Sequence, residues 1–319
     1  MINNLAILTF AIITSFFTLK YASPILKKYL MYNPNFRTSH KTPTPSGGGI
    51  SFILVTIIGS FYLLFTYGFS LEFILPILCI PLALMGFIDD LFDVKVIYRF
   101  LIQFFSAILV IFFSPMNFGL LDIPLFAFLV LLIMSIINFF NFMDGADGLL
   151  GSSMVVIFTT VMILTRSFQP LLFVLGGLVG FLLLNWQPAK VFMGDVGSTF
   201  LGLYFAGLLL HTNSLENFIS LLLICMPLLG DSFFCLIRRL LVKQNPFKAH
   251  KLHLYQRLIK GGWSHKKVSL LYFFITLISS IIYLNFGIKL LILFVIFEFI
   301  IGYWLEHRYA SPFGLEKNL

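Results

Sequence analysis

The sequence predicts an all-α, polytopic integral membrane protein, and three observations carry that prediction. Of its 319 residues 59% are hydrophobic and 11% charged, with a mean hydropathy of +1.00, whereas a water-soluble domain carries about 25% charged residues. The apolar residues gather into eleven runs, most of them near the roughly 17–25 residues a helix needs to cross hydrocarbon. Basic residues alternate sides: with the N-terminus outside, all but Arg166 and Lys289 of the 21 Lys and Arg fall on the cytoplasmic side. The net charge of +8 mostly reflects this topology, and a basic inner face also attracts anionic substrates.

In order, the runs lie near 4–23, 48–67, 71–88, 98–114, 120–142, 149–166, 170–187, 197–212, 216–237, 268–285 and 287–305. The run at 197–212 is short, and 120–142 contains polar positions. An odd number of crossings places the C-terminus inside, beside Arg308 and Lys317. The first run has no basic residue before it and Lys20, Lys27 and Lys28 after it, the reverse of a signal peptide, so it is expected to stay as a helix. Trp186, Trp263 and Trp304 fall near inner boundaries as interfacial anchors. Cys79, Cys225 and Cys235 lie in apolar runs without paired or metal-binding spacing and read as small packing residues. One transmembrane domain is expected over 1–319, with catalytic loops about 24–47, 89–97, 138–148, 186–198 and 238–267.

The aspartates show where chemistry is concentrated. Asp89, Asp90, Asp93, Asp144, Asp147, Asp195 and Asp231 all lie at inner ends of runs or beside them, leaving only Asp122 elsewhere. Carboxylates beside hydrocarbon are costly unless paired or used. Their mutual repulsion is relieved most simply by a divalent cation, and oxygen ligands favour Mg²⁺ or Mn²⁺ over zinc. In GFIDDLFDV (86–94) a helix sets Asp89 and Asp93 on one face, with Asp90 about 100° round. In NFFNFMDGADGLLG (138–151), Asn138, Asn141, Asp144 and Asp147 recur every three residues. An unbroken helix would turn Asn138 and Asp147 to opposite sides. The helix is therefore expected to end near Met143, with Gly145 and Gly148 turning the chain so that these side chains converge.

In VFMGDVGSTFLG (191–202) glycines flank Asp195 just before a run, where a helix N-terminus favours anions. The loop at 238–267 carries His250, His253 and Arg257 among lysines. Two histidines three apart find no third ligand for zinc, so phosphate contact is the expectation. NPNFRTSHKTPTPSGGGI (33–50) supplies a basic inner wall with Arg37 and His40, and its glycines suit close helix packing.

Together, RTSHKTPTPSGGG, FIDDLFD, NFFNFMDGADGL, VFMGDVGSTFLG and HKLHLYQRL resemble the polyprenyl-phosphate N-acetylhexosamine-1-phosphate transferase family over residues 37–258. Eleven runs resemble its N-acetylhexosamine branch rather than the ten-span muramoyl branch, and the loop departs from the triple-histidine form of the latter. It looks most like enzymes that start O-antigen or related surface polysaccharides. The resemblance implies Mg²⁺ on Asn141 and Asp195, with Mn²⁺ as a substitute. It puts Asp144, Asp147 and Phe192 by the uridine, Asn138 at the substrate, Asp89 and Asp90 at the lipid phosphate, and His253 near the diphosphate, with His250, Arg257, Arg37 and His40 as further substrate contacts.

The implied partners are UDP-N-acetylhexosamine and undecaprenyl phosphate in a bacterial inner membrane. A homodimer is compatible, and no nucleic acid is expected. A one-step transfer and a route through an aspartyl-phosphate both stay open. Two other readings are weighed. An intramembrane Mg²⁺-dependent prenyltransferase would repeat the DDxxD pattern, whereas the second cluster here is an Asn-Asp-Gly turn. A proton-coupled transporter would carry its acids at mid-membrane.

Overall fold

The computed structural model describes residues 3–32, 43–116, 119–245 and 250–313; Arg37 and His40 lie outside them. The helices are α1 (Asn4–Tyr29), α2 (Ile50–Tyr67), α3 (Leu71–Leu78), α4 (Ile80–Phe92), α5 (Val96–Phe112), α6 (Ile123–Phe142) and α7 (Leu149–Thr165). They continue with α8 (Phe168–Asn185), α9 (Gly194–Leu210), α10 (Leu215–Ile224), α11 (Met226–Leu241), α12 (Leu254–Lys260), α13 (His265–Phe286) and α14 (Ile288–Tyr309). One antiparallel pair, β1 (Met31–Tyr32) with β2 (Thr44–Pro45), joins α1 to α2.

Local sequence explains the starts and breaks. Asn3, Ser214 and Ser264 accept hydrogen bonds from Leu5, Asn217 and Lys267 amides and cap α1, α10 and α13. Pro81 and Pro227 occupy the first turns of α4 and α11. A proline there cannot donate to the preceding turn and crowds its carbonyl, so α3 and α10 cannot run straight on. The break at Cys225 bends α10 from α11 by 71°.

Every apolar run of the sequence falls on a helix or a broken pair. Among the described residues, six segments are long and apolar enough to cross a membrane, or seven if the bent α10–α11 pair is one span. The helices α5, α7, α8 and α9 are apolar but shorter than that measure. Length and hydropathy thus give a multi-pass membrane protein with fewer certain crossings than the eleven expected. The shortest expected run shows why: α9 is buried from Val196 to Leu210, so it is a central strut sheathed by protein. A helix that is apolar all round and encased in others needs no lipid-spanning length. Outer helices differ. On α1, Leu5, Phe10, Ile13, Phe17 and Tyr21 are exposed, and on α14 Leu293, Phe297, Ile300 and Tyr303 are exposed, as hydrocarbon-facing surfaces must be.

α9 packs against α4 and α6, while α8 packs between α1 and α2, and α13 between α7 and α14. The approach to α9 is close enough to exclude side chains. A Cβ on Gly49 would lie 2.4 Å from Gly197 Cα, and one on Gly86 would lie 2.6 Å from the Asp195 carbonyl oxygen and 2.7 Å from Val196 N. Both obstacles are backbone, so neither can swing aside. The Gly86 contact sets α4 against the start of α9 and thereby brings two of the acidic motifs together. Gly86→Ala is expected to lower stability by about 1–3 kcal/mol through overpacking, read as a fall in thermal midpoint in detergent. Gly230→Ala meets nothing nearer than 3.5 Å and is expected to leave the midpoint unchanged or raise it.

Candidate active site

The opening turn of α9 organises the site. The first amides of any helix lack intrahelical partners and carry partial positive charge. Here two of them are met by a carboxylate from another segment. Asp90, in the last turn of α4, accepts from Asp195 N–H at 3.1 Å through one oxygen and from Val196 N–H at 3.3 Å through the other. Asp144, just past the end of α6, lies near the Asp195 and Asp90 carboxylates. Ser46, before α2, reaches Asp90 at 3.5 Å. The loop before α2 is stitched to the same place, because Gly48 and Gly49 donate to the Phe192 and Met193 carbonyls, and Phe192 donates to Pro45.

Asp89 faces the other way from Asp90, as their angular offset on a helix requires. One of its oxygens accepts from Val94 N–H at 2.7 Å, and the other pairs with Arg99 of α5 at 2.5 Å. Arg99 also lies 3.6 Å from Asp195. The expected shared face of Asp89 and Asp93 is not formed. Asp93 leaves the helix with φ of 50°, donates its N–H to Asp89 O and is exposed.

Behind these groups, Asn141 donates at 2.9 Å to Asp195 Oδ1 and at 2.9 Å to Ser198 Oγ. The anticipated break holds: α6 ends at Phe142, Met143 caps it, and Gly148 turns at φ of 71° before α7. Asn138 stays on the helix and exchanges amide hydrogen bonds with Gln103 at 2.8 and 3.3 Å. Asp89, Arg99, Gln103, Asn138, Asn141 and Asp195 line a cavity of about 20 Å³, room for one water-sized guest. Because Asn141 donates both of these bonds through Nδ2, its carbonyl oxygen is left to face a cation. That oxygen and the carboxylates of Asp195 and Asp89 are the hard donor set that suits Mg²⁺. Charge balance agrees. Burial, then the nearby Asp195 and Asp90 carboxylates, push the Asp144 carboxyl well above the usual range, and a bound cation would relieve that.

Asp147 sits one turn further on and is buried. Its carboxylate accepts from Ala189 N–H at 3.1 Å, its own N–H reaches His265 Nδ1 at 3.3 Å, and its carbonyl accepts from Ser269 at 2.7 Å. Asn185 ties Gly148 N–H to the Val191 carbonyl. These bonds hold the segment that presents Phe192, which is half-buried and meets Tyr32 edge-on at 6.3 Å between ring centres.

The histidine loop reaches the same end of the bundle through Asp231 of α11. Its carboxylate accepts from Leu254 N–H at 2.6 Å, Tyr255 N–H at 3.1 Å and Tyr272 O–H at 2.7 Å, and so caps α12. His253, just before α12, stacks with His250 at 5.0 Å and lies 5.7 Å from Phe142. Tyr255 O–H donates to the Phe142 carbonyl at 2.9 Å, locking α12 to the end of α6. Burial, with His253 and Arg239 nearby, lowers the His250 pKa to about 3, so its ring is neutral.

Arg257 departs from its expected role. It is 3% exposed and bound to Glu306 at 2.8 Å and to the Ser311 carbonyl at 2.8 Å, so its guanidinium fastens α12 to α14. A second correction concerns the histidines, because the fold brings Cys235 to His250 and His253 where sequence spacing offered no third ligand.

The site is thus an oxygen-lined cavity at an acid-capped helix start within a membrane bundle. Comparison with known proteins gives the family. Residues 73–213 match the family model described as glycosyl transferase family 4. The chain is 30% identical over 325 residues to the probable undecaprenyl-phosphate N-acetylglucosaminyl 1-phosphate transferase of Bacillus subtilis, covering 91% of this chain and 88% of that one. It is 32% identical over 265 residues to the undecaprenyl-phosphate alpha-N-acetylglucosaminyl 1-phosphate transferase of Thermotoga maritima (79% and 81%). It is also 30% identical over 289 residues to the phospho-N-acetylmuramoyl-pentapeptide-transferase of Enterococcus faecalis (80% and 86%). The chain belongs to the polyprenyl-phosphate N-acetylhexosamine-1-phosphate transferase family.

The residues that sequence reasoning left without a role are Arg99, Gln103, Ser198, Tyr255 and His265, with Asp231 counted among the inner acids but given no partner. Asp231 offers the sharpest check on the local architecture. An amide at this position can keep only part of the three-donor arrangement. Asp231→Asn is expected to cost about 1–3 kcal/mol. Hydrogen exchange should accelerate in peptides covering 250–260 and not in those covering 86–92.

Proposed function

We propose that the chain transfers N-acetylhexosamine 1-phosphate from a UDP-sugar to undecaprenyl phosphate. The site is taken to open on the cytoplasmic face of a bacterial inner membrane, within an eleven-span bundle. The observation that carries this reading is the convergence of Asn141, Asp195, Asp89 and Arg99 on one small cavity at the start of α9. Family membership supplies the reactants. A phosphate oxygen of the lipid attacks the sugar-linked phosphorus, the new P–O bond forms as the bond to UMP breaks, and UMP carries away the electron pair. A phosphate monoester with a second pKa near 6 is already largely ionised, so positioning outweighs base strength.

Asn141 and Asp195 would hold Mg²⁺, which when bound supplies Lewis-acid neutralisation of the diphosphate. Asp90, with both oxygens on α9 amides, fixes the position of Asp195 rather than moving a proton. Arg99, shared by Asp89 and Asp195, presents a cation toward the lipid phosphate. Asp147 and Phe192 belong to the nucleotide side, Asp147 by fixing the segment and Phe192 as a face for uracil. His253 lies toward the diphosphate.

Purified protein given undecaprenyl phosphate and a panel of UDP-sugars tests the reading. UMP release that requires the lipid is expected with a UDP-N-acetylhexosamine. The similarity to the Enterococcus faecalis protein supports a second reading, a UDP-muramoyl-pentapeptide donor, and the same panel separates the two. A product that primes O-antigen or a related surface polysaccharide accompanies the first. EDTA should abolish turnover, Mg²⁺ or Mn²⁺ should restore it, and Asp195→Asn should be folded and at least about 100-fold slower. Turnover in excess EDTA would remove the metal from the mechanism.

The crowded acids make a separate forecast. Burial and the neighbouring carboxylates push the Asp144 pKa up, and a cation beside it would favour the ionised form. Mg²⁺ binding should therefore release protons and strengthen as pH rises. Calorimetry in two buffers of different ionisation enthalpy reads this directly, and Asp144→Asn should remove most of the difference between buffers.

A further inference from the structure

We propose that Cys235, His250 and His253 form a binding site for a soft divalent cation of the Zn²⁺ class, separate in donor chemistry from the oxygen-lined cavity at Asp195. Cys235 lies on α11, one helical turn beyond Asp231, while the two histidines sit on the strand of loop that leads into α12. One ligand atom from each of the three lies within 4.8 Å of the others. Cys235 and His253 are each 4% exposed, so two of the three donors are already fixed by packing. A tetrahedral zinc with bonds of about 2.0–2.3 Å sets its ligand atoms about 3.5 Å apart. The half-buried His250, whose ring accepts a 3.2 Å bond from Leu252 N–H, is the donor with the most room to supply the remaining closure of about 1 Å.

A second observation points the same way. His253 Nδ1 is buried and, among the described residues, makes no hydrogen bond, yet it faces Asp231 Oδ1 at 3.7 Å. A carboxylate behind an imidazole is the arrangement that orients metal-binding histidines, holding one ring nitrogen while the other takes the ion. Donor type sets the cation: a thiolate and two imidazoles select Zn²⁺ over Mg²⁺. Three protein ligands also leave a fourth position for water. Binding converts the Cys235 thiol to a metal thiolate and sends its proton to solvent. Arg239 of the same helix is turned to the Gln244 and Asn245 oxygens. An occupied site would tie the 250–253 segment to α11 and hold the His253 ring where it meets Phe142.

The test uses the full chain in detergent, stripped of metal and titrated with Co²⁺ while excess Mg²⁺ fills any oxygen site. The readout is binding without substrate, so it stands apart from the transferase reading. Expected are a near-ultraviolet thiolate-to-cobalt band and intense visible bands of tetrahedral cobalt, both erased by equimolar Zn²⁺. Cys235→Ser should lose the thiolate band, and His250→Gln and His253→Gln should each weaken binding by about tenfold or more. Cys79→Ser and Cys225→Ser should match wild type. Thermal melting without metal checks that each variant is folded. Absence of the thiolate band in wild type, which needs no variant, overturns the proposal, as does a folded Cys235→Ser protein that keeps the band.

Discussion

A carboxylate from a distant segment ends on the backbone amides that open α9: Asp90 of α4 takes two of them, and Asn141 of α6 donates to the Asp195 carboxylate beside them. Unpaired N–H groups within a membrane bundle carry a heavy desolvation cost, and unpaired carboxylates a heavier one. Each answers the other here, which makes α4, α6 and α9 a unit. The Gly86 contact with Asp195 belongs to the same unit, because a side chain there would lengthen both bonds. Everything proposed for chemistry hangs on this joint: Asp195 follows the first residue of α9, and its carboxylate points where that helix start directs it.

The same device recurs at α12. Asp231 of α11 takes the amides of Leu254 and Tyr255 and the hydroxyl of Tyr272. Two short, polar helix starts are thus pinned by acids from neighbouring helices, and a histidine loop that would otherwise be free of the bundle is held against the end of α6 by Tyr255. Arg257, Glu306 and the Ser311 carbonyl complete that corner. Its polar groups serve the frame more than any ligand.

The helical membrane bundle was legible because apolar runs and basic asymmetry are properties of composition along the chain. The end of α6 at Met143 was legible too, since a repeat of three cannot keep Asn138 and Asp147 on one side of a helix. Pairings were not. Nothing local indicates that Arg99 serves Asp89, that Asp90 serves α9, or that Cys235 meets two histidines, because these contacts depend on which helices pack together. The Asp89–Asp93 pairing failed for a related reason. Helical spacing was assumed past the residue where α4 ends, and Asp93 lies in the left-handed turn. The number of crossings was less legible, because apolar length along the chain does not separate a helix that faces lipid from one such as α9, which protein surrounds.

The direction of the capping bonds also bears on biosynthesis. A chain is made from its N-terminus, and each carboxylate that caps a helix start precedes the backbone amides it serves: Asp90 comes before Asp195 and Val196, and Asp231 before Leu254 and Tyr255. Each dependent helix therefore emerges after its acceptor has been synthesised, and its exposed amides find a partner already waiting in the nascent bundle. Reversing the order of these segments by circular permutation would leave the same bonds in the finished protein but remove that head start.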